Sequence, residues 1–78
     1  MQNKQASKIT DNVIEKLTEA RKAQGLSHEK VADLTGLNRS TISLIESRKR
    51  EPTMLTCLKI AKALGLSLGE LLIKSEKL

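Results

Sequence analysis

An all-α domain of five short helices is the fold class this sequence predicts, and three observations carry it. Apolar residues recur at three- and four-residue spacing along most of the 78 residues. Most of these runs open on a side chain able to cap a helix, and several close on glycine. Residues 27–53, SHEKVADLTGLNRSTISLIESRKREPT, hold two such runs joined by the turn Leu34-Thr35-Gly36-Leu37, a helix–turn–helix pattern.

Residues 1–8 are polar and without periodicity, which predicts a flexible N-terminal tail; Lys4 and Lys8 there are a candidate arm on a nucleic acid. The folded domain is expected over 9–74, with 75–78 as a C-terminal tail. The first helix starts near Thr10 or Asp11, either of which can cap it. Val13, Leu17 and Ala20 form its core stripe, Ile14 widens that stripe or meets a partner, and Gly25 lies just past its end.

Ser27 caps the second helix, Glu29 suits its first turn, and Val31, Ala32 and Leu34 face inward. Gly36 supplies the turn with a positive φ. Asn38 caps a third helix that runs to about Ser47 and carries Ile42 and Ile45 on its buried side. Pro52-Thr53 opens the fourth helix, whose apolar face is Leu55, Leu58, Ala61 and Leu64, and Gly65 ends it. Ser67-Leu68-Gly69-Glu70 announces the fifth as a reciprocal capping box. Leu68, Leu71, Leu72 and Ile73 then offer more apolar surface than one face of a short helix can tuck under its own domain.

Hydrophobic residues make up 38% of the chain, with no Phe, Trp or Tyr. A core built from Leu, Ile, Val and Ala in so short a chain is marginal, so a second chain is expected to supply some burial. The net charge of +5, from 14 basic against 9 acidic residues, favours an anionic partner. Without aromatics there is no platform for stacking unpaired bases, which argues against a single-strand or RNA reader. The single cysteine, Cys57, excludes an intramolecular disulfide and fits a reducing cytoplasm. Its default role is a small buried hydrophobe, the alternative a redox sensor. Neither a signal core nor a membrane span is present in the sequence. No nucleophile–base set, metal cluster, cofactor motif or small-molecule site can be identified, so the chain is not read as an enzyme.

Ala20-Arg21-Lys22-Ala23-Gln24-Gly25-Leu26-Ser27, Val31-Ala32, Asn38-Arg39-Ser40-Thr41-Ile42-Ser43-Leu44-Ile45-Glu46, Lys49-Arg50-Glu51-Pro52-Thr53 and Leu58 to Leu68 stand in a specific order and spacing. Together they resemble the lambda-repressor-like (Cro/C1, or XRE-type) helix–turn–helix family over about residues 11–73. The resemblance implies a compact five-helix domain that binds DNA as a homodimer, with the helix–turn–helix formed by the second and third helices. Three positions depart from the family's habit: His28 stands where Gln is usual, Arg48 where Gly is usual, and Ala20 where a large apolar residue is usual.

Carried onto this sequence, the family's base-reading positions are Arg39 and Ser40, with Ser43 and Leu44 one turn further along. Arginine can fork onto guanine O6 and N7, whereas Leu44 either packs on thymine methyl groups or folds back onto the core edge. Phosphate contacts are expected from His28, Thr41, Ser47, Arg48, Lys49 and Arg50. For Thr41 the alternative is its own helix backbone, and for His28 a plain surface role. Arg21 and Glu46 match a family ion pair that orients the third helix. Leu68, Leu72 and Ile73 are the expected dimer surface.

The implied function is a cytoplasmic, sequence-specific regulator of transcription on double-stranded DNA. It would place two third helices in successive major grooves of an inverted repeat, and would regulate its own gene. The chain stops soon after the fifth helix, which fits restriction–modification controller proteins and short phage repressors. RNA polymerase is a further candidate partner. The alternative is the antitoxin of a toxin–antitoxin pair, with a toxin protein as partner.

Overall fold

The computed structural model describes residues 4–77 and consists there of α1 (Lys4–Ala23), α2 (His28–Thr35), α3 (Arg39–Glu46), α4 (Met54–Ala63) and α5 (Leu68–Glu76), with no strand among the described residues. Hydroxyl caps fix three of the starts. Ser27 Oγ accepts from Lys30 N–H, Thr53 Oγ1 from Thr56 N–H, and Ser67 Oγ from Glu70 N–H. Between α2 and α3 the chain reverses at Gly36, whose φ of 77° is open to glycine without strain. Its N–H donates to Ala32 O at 2.8 Å, satisfying an end carbonyl of α2.

One apolar core joins all five helices. It takes Val13, Ile14 and Leu17 from α1, Val31 and Ala32 from α2, and Ile42 and Ile45 from α3. Ile60, Ala61 and Leu64 enter it from the α4 side, and Leu68 and Leu71 from α5. Helix α1 lies along α5 and also meets α3, while α2 packs on α3 and α4. This leaves the outer face of α3 uncovered. Branched aliphatics fill the space without any ring, so each methyl group weighs in the packing.

Several expectations are corrected. Helix α1 begins at Lys4, not at Thr10 or Asp11. Nothing in Lys4-Gln5-Ala6-Ser7 breaks a helix, and Thr10 Oγ1 donates back to Ala6 O at 3.0 Å instead of capping. Residues 4–8 of the expected tail are thus helical, and 1–3 lie outside the described residues. At the other end, Ser75 and Glu76 belong to α5, and Ser75 is 1% exposed, while Leu78 lies outside the described residues. Ser75 follows Leu68 by seven residues and Leu71 by four, so it shares their buried side.

Leu34, Leu55 and Leu58 are exposed, not inward-facing. The α4 core stripe is instead Cys57, Ile60, Ala61 and Leu64. Asn38 sits at the N-cap position of α3 with no side-chain cap bond. Ser67 and Glu70 form one half of the expected capping box, since Glu70 returns no bond to Ser67.

Candidate nucleic-acid interface

Helix α3 is eight residues long, and its two sides differ completely. Ile42 and Ile45 are buried underneath, while Arg39, Ser40 and Ser43 are exposed on the opposite face. None of those three side chains makes a hydrogen bond among the described residues. Leu44 is half-buried at the edge between the two sides. An exposed helix of this diameter, with short polar side chains and one arginine outward, fits the width of a B-DNA major groove.

What holds α3 in place is its last residue. Glu46 accepts from Arg21 Nε at 2.7 Å and from Arg21 Nη2 at 2.9 Å, a two-pronged contact that reaches across 25 residues of sequence. The third guanidinium nitrogen donates to Leu26 O at 2.7 Å. His28 Nε2 lies 2.9 Å from the same carboxylate. Burial pushes the Glu46 carboxyl up, but the hydrogen bonds and charges of Arg21 and His28 outweigh it and hold the group below its ordinary 4.5. The carboxylate is therefore ionised at neutral pH and ties α1, α2 and α3 at one point. The His28 contact has no counterpart among the sequence-based expectations, because nothing in the spacing of residues 28 and 46 marks it.

The basic loop behind α3 divides into two parts. Arg48 has a φ of 65°, the left-handed backbone that a glycine would adopt freely. Its guanidinium donates to Glu46 O at 2.6 Å and to Asp11 O at 3.2 Å, and its Nε lies 3.5 Å from the Asp11 carboxylate. Arg48 is thus folded back onto α1, a contact that no sequence pattern marks. Lys49 and Arg50 remain exposed, and both backbone N–H groups donate to Leu44 O, at 2.9 and 3.2 Å. Arg50 Nη1 also donates to Thr41 Oγ1 at 3.3 Å, which lays this cation beside α3. Ser47 Oγ donates to Leu44 O at 3.1 Å.

These elements leave a hollow lined by His28, Arg39, Ser40 and Ser43, where the start of α2 faces the outer side of α3. Of the expected dimer residues, Leu68 is buried in the domain's own core, Leu72 is half-buried and Ile73 is exposed. Met54, Leu55 and Leu58 of α4 are exposed as well, a set hidden from sequence reasoning because α4 is apolar on most of its sides. Cys57 shares a groove with Pro52, Met54 and Leu72, and burial pushes its thiol pKa up. Among the described residues no helix is long and apolar enough to cross a membrane, and no cluster of three potential metal ligands occurs.

Residues 17–71 match the helix-turn-helix family model. The chain is 45% identical over 62 residues to the HTH-type transcriptional regulator PuuR of Escherichia coli, covering 80% of this chain and 34% of that protein. It therefore spans about a third of the length of that relative. It is 33% identical over 66 residues to the control protein C.SmaI of Serratia marcescens, covering 85% of this chain and 79% of that one. No solved structure matches.

Proposed function

Because this chain belongs to the helix-turn-helix family, in its Cro/C1 (lambda-repressor-like) form, and so among DNA-binding regulators of transcription, we propose that it acts as a homodimer on an inverted-repeat operator and controls its own gene. The observation that carries this reading is the outer face of α3. Arg39, Ser40 and Ser43 stand exposed and uncommitted on a helix whose other side is anchored by Ile42, Ile45 and the Arg21–Glu46 contact. Such an arrangement presents donors to base edges without reorganising the domain.

Arg39 is assigned the fork onto a guanine, and Ser40 and Ser43 adaptable bonds to neighbouring bases. Leu44, at the rim of that face, takes the apolar contact to a thymine methyl. Lys49 and Arg50 contact phosphates, as do Thr41, Ser47 and His28 at the edges of the groove. Arg48 joins them by giving up its tie to Asp11. Its phosphate contact then costs an internal one, so it adds less affinity than Lys49.

The dimer surface supported best combines Leu72 and Ile73 of α5 with Met54, Leu55 and Leu58 of α4. Four of these five are exposed large apolar side chains on adjoining helices, more than scattered surface residues would give. Two copies joined there would set half-sites about 34 Å apart, one turn of the duplex. The likeness to a control protein over most of both chains supports the self-regulating role. A DNA target also fits a location in the cytoplasm with the nucleoid.

A gel-shift titration on DNA from upstream of the protein's own gene, with random DNA of equal length as competitor, tests the reading. Arg39→Ala should weaken the operator far more than random DNA. Lys49→Ala should weaken both alike and flatten the log–log salt slope by about one for each phosphate it no longer neutralises. Equal binding of upstream and random DNA by the wild type would reject the operator assignment.

A further inference from the structure

The hollow beside α3 contains the chain's one histidine in an unusual bonding state, and this carries a further step that rests on the DNA reading above. We propose that His28 is a phosphate ligand that works only as the imidazolium, so that each operator half-site is bound together with one proton.

Glu46 sets the tautomer of the ring. A carboxylate gripped by two guanidinium N–H groups can only accept a third hydrogen bond. The imidazole nitrogen 2.9 Å from it must therefore be the one that carries hydrogen. A neutral imidazole has a single N–H, so the other ring nitrogen, Nδ1, is left as a bare lone pair. A lone pair repels a phosphate oxygen. Protonation places a second N–H on Nδ1, and the ring then donates to Glu46 on one side and to a phosphate on the other.

Geometry leaves that second nitrogen available. Among the described residues Nδ1 has no hydrogen-bond partner. The only buried side-chain nitrogen or oxygen lacking a partner among the described residues is Ser75 Oγ, so Nδ1 is not sealed from solvent. The ring lines the same hollow as Arg39, Ser40 and Ser43, the side chains assigned to the bases. As the first residue of α2, His28 also stands where free backbone N–H groups favour an anion.

Charged groups face the ring from several sides. Glu46 of α3 favours the imidazolium. Arg21 of α1, Arg39 of α3 and the positive end of α2 oppose it, and on α2 itself Glu29 and Lys30 offset one another. From α4, Lys59 and Lys62 reach α2 only at its far end, beside Leu34 and Thr35. A phosphate arriving at Nδ1 adds a negative charge beside the ring and so favours its charged form. Binding and protonation then reinforce each other, as linkage requires.

The test compares wild type with His28→Gln on the operator at pH 6 and pH 8, at fixed ionic strength. The glutamine amide donates at both pH values. Wild-type affinity should fall by about tenfold or more between pH 6 and pH 8, while the glutamine variant changes by less than about threefold. In parallel, an NMR titration of the unaltered protein should show the His28 ring holding its proton to clearly higher pH when operator DNA is present. The same pH dependence in both proteins, or a His28 titration unmoved by DNA, would overturn the proposal while leaving the DNA reading intact. Loss of operator preference at both pH values in the wild type would overturn both together.

Discussion

At Arg48 the backbone and the side chain pull in opposite directions, and two substitutions separate them. A φ of 65° costs an L-amino acid about 1–2 kcal/mol that glycine is spared. Glycine in turn gives the unfolded chain more freedom than alanine, at a cost of about 0.5–1 kcal/mol. Arg48→Gly and Arg48→Ala both remove the same bonds, to Glu46 O, Asp11 O and the Asp11 carboxylate. Those bonds are exposed and together contribute about 1 kcal/mol. The alanine variant forgoes them and keeps the strain. The glycine variant forgoes them and is relieved of it. Arg48→Gly should therefore lie near wild type and above Arg48→Ala by about 0.5–1 kcal/mol. In a domain of this length each kcal/mol moves Tm by roughly 4–8 °C. Thermal unfolding by circular dichroism, at one protein concentration, should place the glycine variant several degrees higher. An alanine variant melting at or above it would refute the reasoning, because alanine is the more stable choice wherever φ is negative.

Further expectations concern the dimer surface, Glu46 and Cys57. Leu58→Glu or Ile73→Glu should give folded monomers by sedimentation and weaken operator binding by at least about tenfold, since one half-site alone supplies the contacts; a charged variant that stays dimeric would move the interface elsewhere. Glu46→Gln should cost about 1–3 kcal/mol at pH 7. The folded-state pKa of Glu46 is lowered, so its contribution is complete above the ordinary 4.5 and fades as pH falls through the lower folded value. Wild type and Glu46→Gln should thus converge in stability in acid, and a gap that persists there would point to altered packing instead of altered charge. Cys57, its pKa raised by burial, should react with iodoacetamide at neutral pH at least about tenfold more slowly than a cysteine in a short peptide; modification at the peptide rate would reopen the redox alternative.

Much of the fold was legible because its signals are local. Ser27, Thr53 and Ser67 mark helix starts by a bond three residues away, and Gly36 marks the turn by a backbone angle. Helix α4 was misread for an equally physical reason. Met54, Leu55, Cys57, Leu58, Ile60, Ala61, Ala63 and Leu64 put apolar atoms on nearly every side, so periodicity cannot choose a face. Only the packing of α4 between α2 and α5 decides. The start of α1 was displaced because a threonine that could cap bonds backwards in the middle of a helix instead. Ser75 was within reach, since its seven-residue interval from Leu68 places it on the buried side of α5. Within the site, the Arg21–Glu46 contact was expected through family resemblance alone. His28–Glu46 and Arg48–Asp11 join residues 18 and 37 apart, between separate elements, where no spacing rule operates.

Among the described residues Arg39, Ser40 and Ser43 make no internal side-chain hydrogen bond, whereas Glu46, one turn beyond Ser43, helps to hold three helices. Substitutions at the first three positions are therefore nearly free of folding consequence, while the residues that aim the helix are fixed by stability. If those three positions read the bases, as proposed, a lineage carrying this scaffold would change the DNA sequence it prefers by drifting there, without first acquiring compensating changes in the core. On that reading, divergence of target and persistence of fold belong to different sides of the same eight-residue helix.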